Sequence, residues 1–427
     1  MKIANEILEK IQNVSKGQKK FLIVLFTTIL LIKSKVNYLN LSRYSELSEK
    51  TYRRQFHKEF DFVEFNKQAI KEVICPTATQ IFGQDASFIK KSGKLTYGLD
   101  WFFNGCNSRP EKGLEISLIS LIDVDANQAY ALSVKQTEKE ATSLSATTQS
   151  SEKKLFNNKQ KKSPKTKDEQ KLQEETIVDF YLQHLRETSV YFPSSVKCGV
   201  FDGFYAKQKF INGVCELGYT AISKLRIDAD MRYLYTGAYS GVGRPKSYDG
   251  KVKIQDIQKF DFVSEIETNL LLFTAVVYHV TLKRNIRLVV LINTQNNTKP
   301  RIALLFSTDI FMSAIDVYRF YKARFQIEFI FRDAKQFTGL SHCQARDKQA
   351  LNFHFNSSLS ALNLAKIDSW LHRDISKPFV FSLATYKQLA FNHHFLDFIF
   401  SNLDLDLTSI KNHPNYQNII SYASIAA

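Results

Sequence analysis

The pattern of hydrophobic positions changes twice along the chain. Residues 1–74 carry apolar side chains at helical spacing, whereas from Cys75 onward short apolar and alternating runs are typical of strands. Helical spacing returns at about Met312 and continues into an aromatic tail. This order predicts helical terminal regions on either side of an α/β core.

The most apolar stretch of the chain runs from Phe21 to Ile32. Its twelve residues are fewer than the roughly 20 needed to span a bilayer, and lysines close both ends. The run starts late and no small-residue cleavage site follows it, so a signal peptide is not indicated either. We therefore predict a buried helix without a membrane role.

Residues 40–56 resemble a helix-turn-helix. Ser42 would cap a first short helix and Ser48 a second. The second helix would then present basic and polar side chains to DNA, namely Lys50, Thr51, Arg53 and Arg54. A basic surface on a small helical bundle explains the same pattern equally well.

Three strand-like runs open the core. Residues 80–89 are apolar and partly alternating, and Asp85 lies among them. Residues 114–124 and 129–134 follow as two further strands. The Asp125-Ala-Asn127 sequence between them has turn chemistry, which predicts a hairpin. An amphipathic helix over 175–187 comes next.

A second acidic residue follows a later strand. Residues 196–201 form a short buried run that ends in Asp202-Gly203, before a helix over 204–217 and a strand over 219–225. Open α/β sheets place their functional sites at such carboxyl ends of strands. The alternative is an ordinary turn-forming Asp-Gly pair.

Two stretches have the composition of insertions. Residues 138–174 are rich in Ser, Thr and Gln and then in Lys, which predicts a disordered basic insertion. Residues 228–300 combine strand-like runs with a basic, Gly-rich loop, which predicts a β-rich insertion. Arg244 and Lys246 of that loop would contact DNA phosphates, although a plain solvated loop is an equal alternative.

A charged stripe follows the strand at 301–307. At 100° per residue, four side chains of the next helix fall within an arc of about 60°, with Arg332 beside them. The four are Tyr321, Arg324, Glu328 and Lys335. Apolar residues cover most of the remaining circumference, so the charges need a partner. A phosphate backbone with a divalent metal would satisfy them, and so would an ordinary salt-bridged face.

Composition and motifs limit the ligands and cofactors that the chain could bind. The 427 residues carry a formal charge of +16 and a pI of about 9.4, which indicates a polyanion such as nucleic acid. Five scattered cysteines without a CxxC pair argue against a disulfide framework and a zinc site. The Gly-rich loop lacks the GK[ST] ending of a nucleotide-binding loop.

The spacing Y-(2)-R-(3)-E-(6)-K resembles the signature of bacterial insertion-sequence transposases of the DDE class. Other stretches resemble the same class, namely residues 85–88, 91–100, 111–117 and 202–207. The resemblance implies an α/β, ribonuclease-H-like catalytic core with a β-rich insertion before the glutamate helix. Helical DNA-binding and C-terminal regions would flank that core.

The resemblance also implies a site. Asp85, Asp202 and Glu328 would be the catalytic, metal-binding acids for two Mg²⁺ ions, which Mn²⁺ could replace. Tyr321, Arg324 and Lys335 would hold DNA phosphates. Asp100 lies in an equally family-like stretch, but we prefer Asp85 as the first acid because it sits in an apolar strand pattern.

The implied activity is strand cleavage at the ends of a mobile element and transfer of the 3′-OH into target DNA. Double-stranded DNA would be the partner of a homodimer in the bacterial cytoplasm, associated with the nucleoid. A metal-dependent nuclease without strand transfer and an inactive DNA-binding regulator are the alternatives. The regions would be 1–74 (DNA-binding), 75–227 and 301–375 (core), 228–300 (insertion) and 376–427 (helical C-terminal region).

Overall fold

The computed structural model describes residues 2–138, 167–239, 241, 243–295 and 300–424. Most of the insertion predicted at 138–174 lies outside these residues. The described part of the chain contains a mixed α/β arrangement in which one large sheet is flanked by helices.

The strands are β1 Gln80–Lys90, β2 Asp100–Asn104, β3 Arg109–Asp123, β4 Gln128–Gln136, β5 Cys198–Phe201, β6 Thr220–Leu225, β7 Met231–Leu234, β8 Tyr248–Lys251, β9 Asp261–Glu267, β10 Leu270–His279, β11 Arg284–Asn293 and β12 Arg301–Ser307. The helices are α1 Lys2–Lys10, α2 Lys16–Leu31, α3 Tyr38–Arg43, α4 Glu49–Gln55, α5 Phe62–Lys71, α6 Lys167–Ser189, α7 Gln208–Glu216, α8 Ala314–Ala323, α9 Phe325–Asp333, α10 Lys348–Leu371, α11 Leu383–Asn402, α12 Leu407–Lys411 and α13 Tyr416–Ile420. Gly203–Tyr205 and Ile257–Lys259 are 3₁₀ turns, and Ala334–Thr338 is a π-helical segment.

The apolar run at residues 21–32 lies in α2, and the prediction of a buried helix is confirmed. Its side chains pack against α10, α11 and the other N-terminal helices; Phe26, for example, stacks on Phe65 of α5 with 5.3 Å between ring centroids. No helix in the described residues is long and apolar enough to cross a membrane. The N-terminal helices thus share a hydrophobic core with the helices that follow the site.

Of the two helix caps predicted for the helix-turn-helix, the structure has one. Ser48 caps α4 as expected, because its hydroxyl accepts a hydrogen bond from Thr51 N at 3.2 Å. Ser42 does not cap α3, and that prediction is wrong. Asn37 caps α3 instead, and Ser42 lies inside the helix, where its hydroxyl donates to Leu39 O. The helix begins earlier because Asn37 offers an equally good capping oxygen.

The sheet has twelve strands among the described residues, with the path β2-β3-β1-β5-β6-β12-β11-β10-β7-β8. Strand β4 pairs with β3 and β9 with β10. Strand β1 is antiparallel to β3 and parallel to β5, and β5 is parallel to β6. The site described below forms where the parallel strands β1 and β5 meet.

Most local predictions in the core are confirmed. The β3–β4 hairpin is present, and Asn127 in its turn adopts φ +52°, a left-handed conformation that Asn tolerates. The helix predicted over 175–187 is α6, but it begins earlier, at Lys167, within the stretch predicted as a disordered insertion. Strands β7 to β11 lie in the stretch 228–300, and through β11 and β12 they continue the same sheet.

Candidate active site

The pairing of β1 with β5 places two aspartates side by side. Gln84 of β1 is the register partner of Phe201 at the end of β5, so the next residues are Asp85 and Asp202. The Gln84 side chain points to the opposite face, where it donates to Ser117 Oγ at 3.1 Å and Tyr181 O at 3.0 Å. Since successive side chains alternate between faces, Asp85 points to the other face, towards α9.

Gly83 determines how closely α9 approaches this face. A Cβ atom at Gly83 would lie 2.4 Å from Ile327 Cδ1 of α9 and 3.2 Å from Ile122 Cδ1. Ile327 is fully buried there, and Glu328 follows it in the chain. Gly83 therefore allows the helix to bring Glu328 to the aspartates. Gly83 was not among the residues predicted from the sequence, although a glycine inside an apolar strand is a signal for such a close approach.

We expect Gly83→Val to reduce both stability and cleavage. The added side chain must displace Ile327, at a cost of about 1–3 kcal/mol for an overpacked core, and Glu328 shifts with it. The matched control is Gly105→Val, because a Cβ at Gly105 meets no atom within 4 Å. Thermal melting and a DNA-nicking assay on both variants test this. Equal melting temperatures for the two variants would contradict the close packing.

Arg324 joins two of the predicted acids. Its Nη1 lies 2.9 Å from Asp85 Oδ2 and its Nη2 lies 2.9 Å from Glu328 Oε1. The Arg324 side chain is only 13% exposed, and its Nε has no hydrogen-bond partner among the described residues. The Tyr321 ring lies beside it, 5.6 Å from the guanidinium carbon. This buried guanidinium supplies the positive charge that the acids need.

The sequence predicted one continuous helix for these residues, and that prediction is wrong. Helix α8 ends at Ala323 and α9 begins at Phe325. At the junction, Arg324 N donates to Tyr321 O at 3.1 Å and Ile327 N donates to Arg324 O at 2.9 Å, both across three residues. The turn is therefore tighter than in an α-helix, and the arc of about 60° does not describe the stripe.

Burial and neighbouring charges shift the pKa values of the acids and of Arg324. Burial raises the pKa of Asp85 to about 7, and the negative charge of Asp202 contributes to this rise, while Arg324 opposes it. Burial also raises the pKa of Asp202. Burial lowers the pKa of Arg324, but the charges of Asp85, Tyr321 and Glu328 outweigh it and raise that pKa overall. The ionised form of each aspartate is thus disfavoured chiefly by its own burial.

The structure brings together Tyr321, Arg324, Asp85, Asp202 and Glu328. Asp202 caps the following 3₁₀ turn, where it accepts a hydrogen bond from Phe204 N at 2.9 Å. Burial raises the pKa of the Tyr321 phenol, and both aspartates act on it. Five of the residues named from sequence therefore converge on one face of the sheet.

No hydrogen bond or ion pair joins the other four predicted residues to this group in the described part of the chain. Arg332 pairs with Asp333 at 2.8 Å, and Lys335 belongs to the π-helical segment, where burial lowers its pKa. Arg244 and Lys246 line a separate pocket of about 590 Å³ beside β8, and Lys246 pairs with Asp249 at 2.9 Å.

Asp100 lies at the start of β2. It pairs with Gly113 of β3, whereas Asp85 pairs with Leu118, five residues further along the strand. That offset corresponds to about 17 Å along β3. The geometry therefore favours Asp85 over Asp100 as the first acid.

The three acids have the right chemistry for a divalent metal, since Mg²⁺ prefers carboxylate oxygens. A bound cation would favour the ionised form of Asp85, which burial disfavours. As arranged, however, no three His, Cys, Asp or Glu side chains among the described residues form a ready metal-binding group. Arg324 binds both Asp85 and Glu328, so a bound cation would share or take over its charge-neutralising position.

Comparisons with known families identify the class of enzyme. Residues 41–263, more than half of the chain, match the family model of DDE superfamily endonucleases. Residues 198–364, which include Asp202 and Glu328, match the model of the transposase DDE domain. A search of curated proteins finds no match. The chain therefore belongs to the DDE superfamily endonucleases, and it is a nucleic-acid-cleaving enzyme of the DDE transposase class.

Proposed function

We propose that this protein is a DNA transposase that cleaves DNA at the ends of a mobile element and joins the 3′-OH ends to target DNA. The observation that supports this most is the convergence of Asp85, Asp202 and Glu328 around Arg324. The formal charge of +16 suits a polyanionic substrate.

The order of the elements supports a ribonuclease-H-like core. The consecutive strands β1 to β4 are joined by antiparallel pairing and precede α6, as such a sheet begins. Strands β7 to β11 precede α9, which carries Glu328, and this is the position of the family's β-rich insertion. The Y-(2)-R-(3)-E-(6)-K spacing agrees with the same assignment, although no hydrogen bond or ion pair joins Lys335 to the other three in the described residues.

The three carboxylates would hold two Mg²⁺ ions, which when bound would activate the attacking water or 3′-OH and stabilise the leaving oxygen. Arg324 would then be free to donate to a phosphate oxygen, since its Nε already lacks a partner among the described residues. Tyr321 keeps its proton at neutral pH because burial raises its pKa, so its hydroxyl can also donate to phosphate.

The test is an assay of the purified protein on supercoiled DNA that carries the element ends. We expect nicking with Mg²⁺ or Mn²⁺, loss of nicking with EDTA, and joining of a labelled 3′-OH end to a second DNA. Nicking without joining would establish the metal-dependent nuclease instead. Salt-sensitive DNA binding without nicking in either metal would establish an inactive regulator.

A further inference from the structure

A second basic feature lies beyond the carboxyl end of β1. It is a cleft of about 1210 Å³, and we call it the basic cleft. Three segments line it: the loop 90–96 after β1, residues 341–347 before α10, and the region of α3 and α4. Sequence patterns do not connect these segments, because they are far apart in the chain.

Hydrogen bonds hold the three walls together. The Lys91 ammonium donates to Cys343 O and, at 3.1 Å, to Ala345 O, which ties the loop to the segment before α10. Tyr97 N donates to Arg346 O at 2.8 Å and strengthens this link. Val36 N donates to His342 Nδ1 at 3.1 Å and attaches the N-terminal wall. The cleft is therefore built before any ligand binds.

The charge of the lining is strongly positive. Its cations are Lys35, Arg53, Lys90, Lys91, Lys94 and Arg346, and Asp347 is its one carboxylate. Asp347 already caps α10 through Ala350 N at 2.8 Å and lies 3.2 Å from His57.

Most of these cations are available to a ligand. Two of the six are already occupied, since Arg53 pairs with Glu49 and Lys91 donates to the backbone carbonyl of Cys343. Lys35, Lys90, Lys94 and Arg346 are exposed. In the described part of the chain none of these four has a carboxylate within ion-pair distance. Such a group of unneutralised cations around a preformed cleft suits phosphates.

We propose that the basic cleft binds the sugar–phosphate backbone of the DNA substrate next to the cleavage site. Lys90 follows Asp85 by five residues on β1, a distance of about 17 Å, which is roughly five nucleotides along a DNA strand. Several cations spread over three segments fit a chain of phosphates better than a single anion. The proposal rests on DNA being the substrate of the proposed function.

The experiment measures the affinity of a labelled DNA duplex as a function of salt concentration, in EDTA so that no cleavage occurs. For Lys90→Ala/Lys94→Ala we expect the slope of log affinity against log salt to fall in magnitude by about two. The matched control is Arg186→Ala/Lys197→Ala, which removes the same charge from exposed positions near the amino end of β5. By the register of β1 with β5, Lys197 is level with Gln80, ten residues and about 33 Å from Lys90 along β1. We expect its slope to equal that of the wild type.

An unchanged slope in Lys90→Ala/Lys94→Ala, or an equal fall in the control, would overturn the proposal. Displacement of the duplex by inorganic phosphate, measured against chloride at matched ionic strength, would also overturn it in favour of a single-anion site. Thermal melting of both variants shows that a change in slope is not a loss of folding. The slope does not depend on nicking. If the expected slopes are found but the protein never nicks DNA, the DNA-binding role of the basic cleft stands and the proposed transposase function is wrong.

Discussion

Replacing Glu328 with Gln should reduce Mg²⁺-dependent strand cleavage by several orders of magnitude while the protein stays folded. Gln keeps the size of the side chain and can still accept the hydrogen bond from Arg324 Nη2. It loses the negative charge that a catalytic cation needs, and a two-metal centre fails when it loses a ligand. DNA binding should persist, because the change also removes a repulsion between carboxylate and phosphate.

The matched control for Glu328→Gln is Glu267→Gln. Glu267 is an exposed carboxylate that pairs with Lys322 and accepts a hydrogen bond from Tyr318 of α8, so it supports the helix that precedes α9. If Glu328 only forms a salt bridge, both variants should lose at most about 1 kcal/mol of stability and keep their cleavage. Melting and nicking measured on the same preparations separate the two outcomes, and near-normal cleavage by Glu328→Gln would remove it from the site.

The sequence was sufficient for features that depend on local pattern. The apolar run of α2, the β3–β4 turn and the strand that ends before Asp202 each follow from neighbouring residues, and the structure has all three. The acids could be named because a carboxylate in or after an apolar strand is costly unless it has a partner or a function. The hydrophobic pattern could not predict the register between β1 and β5, which places Asp85 beside Asp202.

The features missed from the sequence depend on contacts between distant residues. The break at Arg324 follows no Gly or Pro, and it coincides with a guanidinium held by Asp85, which lies 239 positions earlier in the chain. Arg332 was expected to hold a DNA phosphate beside the charged stripe, and in the structure its guanidinium donates to the neighbouring Asp333. Lys335 lies in a π-helical segment that begins at Ala334, where the regular 100° spacing no longer holds. Periodicity assumes one regular helix, so it cannot predict these changes.

The last prediction compares the two candidate first acids. Asp85→Asn should abolish cleavage with Mg²⁺, whereas Asp100→Asn should keep most of it. Asp85 binds Arg324, and the charges of Asp202 and Glu328 act on it. Asp100 pairs with Gly113 of β3, about 17 Å along that strand from the residue that pairs with Asp85. Both changes preserve side-chain size, and the amide oxygen introduced by Asp85→Asn could still accept a hydrogen bond from Arg324. A difference in cleavage would therefore report the lost charge, provided the melting temperatures of the two variants agree.

A DNA-binding measurement completes this comparison, since both variants should bind DNA about as tightly as the wild-type protein. The loss in Asp85→Asn would then belong to the chemical step, as expected when a carboxylate is removed from the group around Arg324. The opposite result, cleavage lost in Asp100→Asn and kept in Asp85→Asn, would show that the first acid comes from β2. The charges that β1 gathers around Arg324 would in that case stabilise the junction between α8 and α9 without taking part in catalysis.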